Sequence, residues 1–229
     1  MRLGVQLTLL ALVTNFTASA AVVLTFQGLQ NEEEVLNYFN GGTGSLSSGP
    51  GPNYGISFGS SSLALINEAN GGSGNVFGQP SGTDGSLFFL NGTGDLMNVA
   101  AGFTTGFSFY YSAPFDAGTV NVYSGLNGTG TLLASIALPT TTNGSTVAGC
   151  DGYNYCDFVP IGVTFSGTAE SVNFGGTANY IVFDEITLGS STAGSGSVTP
   201  EPAPFVLSAL GLASLLALYR RRSPQSLPI

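Results

Sequence analysis

Apolar side chains recur at every second position from Ala21 to Ser190, in short runs broken by glycine-containing turns, and this pattern most restricts what the chain can fold into. Val22, Leu24 and Phe26 fall on one side of an extended backbone, opposite Thr25 and Gln27. Phe103, Phe107, Phe109 and Tyr111 form another row, as do Leu132, Ala134, Ile136 and Leu138, and Val159, Ile161, Val163 and Phe165. Val172 and Phe174 follow, then Tyr180, Val182, Ile186 and Leu188. Side chains alternate across a pleated strand, so each row predicts an antiparallel strand with one buried face. Gly71-Gly72, Asn91-Gly92, Asn127-Gly128, Asn143-Gly144 and Gly175-Gly176 supply the turns, and both Asn-Gly-Thr-Gly repeats, at 91 and 127, read as hairpin turns. Only Asn31 to Phe39 reads as helical, a turn or two with a solvated Glu32-Glu33-Glu34 run near its N-terminus. About ten strands of this kind make an all-β fold, an antiparallel two-sheet sandwich with a jelly roll as first choice of topology.

The placement of charge narrows function. The four basic residues are Arg2, Arg220, Arg221 and Arg222, and the chain has neither Lys nor His. The thirteen acidic residues less Glu201 leave twelve between Ala21 and Ser190, with no cation among them. Nucleic acid is therefore excluded as a partner, because a phosphate backbone is held by Lys and Arg. Ser-His-Asp, Cys-His and Ser-Lys catalysis are excluded for want of a base. Paired carboxylates of the glycosidase type remain formally open, but Asp184 and Glu185 are adjacent on a strand and point to opposite faces. The expectation is a protein that is not an enzyme, with neutral glycans and divalent cations as the partners its charge permits.

Both ends read as addresses. Residues 1–20 form a secretory signal: Met1-Arg2, an apolar run from Leu3 to Phe16, then Ala18-Ser19-Ala20, with cleavage before Ala21 by signal peptidase. Residues 21–190 are the part built to fold, and 191–199 form a flexible Ser/Gly/Thr linker. Pro200-Glu201-Pro202 follows, then an apolar stretch over 203–219, then Arg220, Arg221 and Arg222, and a short tail over 223–229. As a helix the apolar stretch is about 25 Å long, enough for a single crossing, and the arginines hold its end in the cytoplasm. The body then lies outside, anchored to the membrane or released to the cell surface after sorting. Proline on both sides of Glu201 keeps the motif extended and out of the helix.

Linker, Pro-Glu-Pro, apolar helix and arginine cluster, in that order over Val198 to Arg222, resemble the PEP-CTERM sorting signal. The tail Ser223 to Ile229 departs from the family's usual form. The resemblance implies an exosortase-type transpeptidase as processing partner, with Pro200, Glu201, Pro202, Arg220, Arg221 and Arg222 as recognition residues. It also implies a non-enzymatic protein of the envelope or exopolysaccharide matrix. Leu24 to Leu29 and Ile181 to Leu188 resemble the first and last strands of jelly-roll domains in other PEP-CTERM proteins and of some carbohydrate-binding modules. In such jelly rolls a structural Ca²⁺ joins those strands, and Asp184 with Gln27 would be its ligands here.

Cys150 and Cys156, an even pair in an exported chain, predict a disulfide around Asp151-Gly152-Tyr153-Asn154-Tyr155. Zinc and redox chemistry are poorly served by two cysteines without a basic neighbour. Asp184 shares an alternation row with Val182, Ile186 and Leu188, so it needs a partner if buried. Backbone amides or Ca²⁺ would supply one, and a bulge or strand end that exposes it is the alternative. Sugars are gripped by aromatic faces beside amides or carboxylates. The candidates are Tyr153, Tyr155 and Asp157 in and after the cysteine-bounded loop, and further off Tyr54, Tyr110, Tyr111 and Asn154. The functional expectation is thus a matrix or surface protein, with a carbohydrate-binding module as the alternative.

Overall fold

The computed structural model describes residues 21–82 and 85–196. The secretory signal, residues 197–199 of the linker, the Pro-Glu-Pro motif, the apolar stretch over 203–219, the arginines and the tail lie outside the described residues. Among the described residues no helix is long and apolar enough to cross a membrane.

Eleven strands form two antiparallel sheets. The first sheet runs in the order β3 (Leu63–Leu65), β4 (Ser86–Phe88), β11 (Val182–Leu188), β6 (Gly106–Ser112) and β9 (Val159–Thr164). Strand β1 (Val22–Leu24) joins β11 beyond β4, with Val22 opposite Leu188 and Leu24 opposite Ile186. The second sheet runs β2 (Ile56–Phe58), β5 (Gly94–Phe103), β10 (Ala169–Gly175), β7 (Gly118–Gly125) and β8 (Thr129–Leu138). The expected antiparallel two-sheet sandwich is what the chain forms.

The inner faces meet in a core rich in phenylalanine. Phe107 and Phe109 of β6, Phe174 of β10 and Phe183 of β11 are buried, and Phe174 and Phe183 pack edge to face with centroids 5.0 Å apart. Such pairs contribute about 0.5–1.5 kcal/mol beyond the area they bury. The alternation rows of β6, β9 and β10 point inward as their residues predict. In β8, Ile136 and Leu138 do so too, but the pairing with β7 shifts near Tyr123 and leaves Leu132 exposed. Of the two Asn-Gly-Thr-Gly repeats, Asn127-Gly128 turns the β7–β8 hairpin with both residues at positive φ. Asn91-Gly92 does not make a hairpin: it carries the chain from β4 in one sheet to β5 in the other.

Asn31 to Phe39 is not helical. It is a succession of turns with isolated bridges, Glu34 pairing with Leu63. Nor is the acidic run uniformly solvated, because Glu33 is fully buried. Its carboxylate accepts from the amides of Gln30 (2.7 Å), Leu46 (2.8 Å) and Ser48 (3.1 Å). Burial opposes its ionisation, but the hydrogen bonds from Gln30, Ser48 and Leu46 outweigh it and hold the carboxyl below its ordinary value. Gly44 lies so close to this carboxylate that a Cβ would collide with it, so the loop closes here only around glycine.

The expected linker is not flexible throughout. Ser190 to Gly196 turns back over the first sheet: the Ser108 hydroxyl donates to the Ser190 carbonyl at 2.9 Å, and the Gly194 amide donates to the Thr187 hydroxyl at 3.0 Å. Gly162 of β9 leaves room for Ser191 to lie against the strand. Gly196 ends beside Ala21 and Val23, so both limits of the sandwich sit at one end, where β11 finishes.

Candidate functional site

The other end of β11 carries a groove walled by aromatic rings. Loop 66–82 is laid over the outer face of the first sheet, where Leu65, Val76, Phe88 and Val182 form a second, smaller apolar cluster. Asn67 ties this loop down by donating from its side chain to the Val76 carbonyl. The cysteine-bounded loop joins it through a bridge between Val76 and Tyr155, and the Phe77 amide donates to the Tyr155 carbonyl at 3.0 Å. The expected disulfide is present, Cys150 to Cys156 with Cα atoms 5.6 Å apart.

Between these loops and the β4 and β11 strand ends runs a groove of about 420 Å³. Its aromatic wall is Phe115, Tyr155 and Tyr180. Phe115 meets Tyr155 edge to face at 5.9 Å and Tyr180 at 6.0 Å, so the three rings brace one another. Phe115 is 44% exposed and Tyr180 41%, an unusual state for large rings unless their faces await a partner. Asn75, Asn179, Ser73 and Glu32 bring polar groups to the same groove. The Tyr155 hydroxyl donates to the Asn179 carbonyl at 3.0 Å. Burial first, then Tyr180 and Asp116, push that phenol up to about 12, so it remains a neutral donor under all ordinary conditions. Asn75 accepts from the Asn154 amide at 2.8 Å, which leaves its NH₂ group for a ligand.

The sequence candidates divide around this groove. Tyr155 lines it. Tyr153 instead stacks on Phe77, centroids 5.4 Å apart and planes 8° from parallel, as a brace for the loop. Asp157 accepts from the Thr142 amide at 3.2 Å and, with Tyr111, lines a separate shallow hollow beside Pro139. Tyr111 is mostly buried and donates to the Pro139 carbonyl at 3.0 Å. Tyr54 stacks on Phe39 and does not line the groove. Phe115, Tyr180, Asn75, Asn179 and Glu32 were not picked out as ligand contacts by sequence. Phe115 carried a usable signal: a large ring directly after a proline, in a loop with no alternation to bury it.

Asp184 is buried rather than exposed, although the bulge considered for it exists. Glu185 sits at φ 46° and the β11–β6 pairing slips between Asp184 and Thr187. The extra residue parts Asp184 from the core positions Ile186 and Leu188, so it faces outward beneath loop 66–82. Its Oδ2 accepts from the Ser81 amide (3.2 Å) and hydroxyl (2.9 Å), and its Oδ1 from the Glu185 amide (2.8 Å). Burial raises its pKa to about 6 against these bonds. Of the two kinds of partner open to a buried Asp184, backbone amides or Ca²⁺, the amides of Ser81 and Glu185 are in place, joined by the Ser81 hydroxyl. The Gln27 carbonyl accepts from the Tyr38 hydroxyl at 2.8 Å. Among the described residues no three His, Cys, Asp or Glu gather as a metal site.

No protein-family model matches the chain, and no curated protein matches it. Several solved structures align with it loosely. A family 6 carbohydrate-binding module shares 14% identity at a TM-score of 0.36, covering 58% of this chain and 85% of that one. A carbohydrate-binding module from the lichenase 5A of Cellvibrio mixtus, in complex with cellotriose, shares 12% at 0.36, covering 57% and 88%. One from Clostridium stercorarium, in complex with cellobiose, shares 18% at 0.34, covering 51% and 81%. Agreement this slight carries no inference about ligand.

Proposed function

We propose that the protein is an exported, non-enzymatic β-sandwich that binds glycan in the Phe115–Tyr155–Tyr180 groove. The observation that carries this reading is the partly exposed aromatic wall beside amide side chains, the surface that the apolar faces and equatorial hydroxyls of sugars require. The strand order supports a jelly-roll topology, since from β4 onward the chain passes between the sheets at every step but β7–β8. The terminal segments support export by signal peptidase and sorting by an exosortase-type transpeptidase, with Pro200, Glu201 and Pro202 as recognition residues and Arg220 to Arg222 fixing orientation. The groove and Gly196 lie at opposite ends of β11, about 20 Å apart for six strand steps.

Binding of the full-length protein to a glycan array tests the reading. Phe115→Ala and Tyr180→Ala should each weaken the bound glycan about tenfold or more, at roughly 1–2 kcal/mol per lost stacking face. Absence of any bound glycan, or binding indifferent to both substitutions, overturns it.

A further inference from the structure

Resting on that glycan-binding reading, we infer that the groove selects glycans bearing free amino groups, binding a protonated hexosamine in preference to its N-acetylated or acidic counterparts. Three observations converge. Glu32 lines the groove with the aromatic wall and is held there twice over: its backbone sits at φ 58°, a conformation unfavourable for a glutamate, and its carboxylate accepts from the Ser73 hydroxyl. Its amide also donates to the Ala64 carbonyl at 2.7 Å, which fixes the residue at the rim. Second, Asp116 follows Phe115 directly, and its charge acts on the Tyr155 phenol of the aromatic wall, so a second carboxylate adds negative potential beside the groove. Third, the wall itself is three aromatic rings, whose faces attract cations.

No countercharge is at hand. Residues 21–196 contain no Lys, Arg or His, so a uronate, sulfate or phosphate on a glycan would meet carboxylates and π faces with nothing to pair it. An ammonium gains from both. An acetamide keeps the stacking but loses the charge attraction.

Calorimetric titration of the full-length protein at pH 6 distinguishes the classes, using length-matched oligomers of glucosamine, N-acetylglucosamine, glucose and glucuronate. The glucosamine oligomer should bind about tenfold tighter than the N-acetylated one, the sum of one exposed carboxylate contact and one cation–π contact. Glu32→Gln should cut that preference about threefold, the share of the carboxylate contact, while sparing stacking and the cation–π contact. Glu170→Gln, on the second sheet, should leave it intact. Equal or tighter binding of the N-acetylated or glucose oligomer, still sensitive to Phe115→Ala, overturns the amine selectivity and leaves glycan binding standing. A glucosamine preference undiminished by Glu32→Gln, or one that falls equally with Glu170→Gln, marks diffuse attraction to an acidic protein and also overturns it. Failure of every oligomer to bind overturns both.

Discussion

Single residues decide how this sandwich responds to pH, and they pull in opposite directions. Asp95 of β5 is buried on the same face as Met97 and Val99, with its Oδ2 unpaired. Burial drives its pKa up to about 7, against the Leu96 amide that donates to its Oδ1 at 2.6 Å. A carboxyl whose folded pKa is raised binds its proton more tightly in the folded state. Its contribution is complete below the unfolded value near 4 and is lost as pH rises through about 7. Asp184 acts likewise up to about 6, whereas the lowered Glu33 contributes only above the unfolded carboxylate range. Stability should therefore fall from about pH 5 to pH 8, and Asp95→Asn should flatten that fall by on the order of 2–3 kcal/mol at most. Urea denaturation at the two pH values measures it; a wild-type protein more stable at pH 8 would contradict the assignment. Neither Asp95 nor Glu33 drew attention in the sequence. An acidic residue directly after an Asn-Gly-Thr-Gly turn sequence resembles a turn residue, and a run of three glutamates resembles solvated surface. What buries them is contact with loops far away in sequence, Gly59 to Ser62 in one case and Leu46 to Ser48 in the other.

At the scale of elements, the period-two rows located β6, β9 and β10 because each of these strands turns its large apolar side chains to the shared core and mostly small or polar ones to the other face. Strands β5 and β7 were less legible. In β7 only Val120 and Val122 face inward, with Asn121 and Thr119 between and before them. In β11 alternation led astray at a single point: Glu185 at positive φ inserts one residue, and every side chain after it changes face. The cysteine-bounded loop was legible as a loop, but not its partner. It is the bridge to Val76 that sets Tyr155 into the groove and turns Tyr153 against Phe77. Replacing both Cys150 and Cys156 by serine releases a short loop in the unfolded chain, at a cost of about 2 kcal/mol. Urea midpoints of the two proteins check this, and the reduced wild type should match the double variant. Since Tyr155 rides on this loop, glycan affinity should fall along with stability.

At the scale of the whole molecule, the absence of cations from residues 21–196 was the most reliable guide, because it removes partners without reference to any fold. It also leaves the sandwich without internal charge compensation. Raising NaCl from about 10 mM to 0.5 M shortens the screening length to a few ångströms and should raise the melting temperature by about 4 °C. A fall in melting temperature would show that repulsion among the carboxylates does not limit stability. The groove's composition could not be assembled from sequence, since Glu32, Asn75, Phe115, Tyr155 and Tyr180 come from five separate segments that meet only when β4 and β11 pair.

The return of Ser190 to Gly196 across the first sheet has a mechanical consequence. Any pull transmitted along the chain beyond Gly196 must first peel this short strap from Ser108 and Thr187. Only then does the load reach β11, which is flanked by β6 on one edge and by β1 and β4 on the other. A strand hydrogen-bonded along both edges yields by shear, with many bonds strained together, rather than by unzipping one at a time. The molecule thus meets drag with a short strap placed in series ahead of a strand paired along both edges.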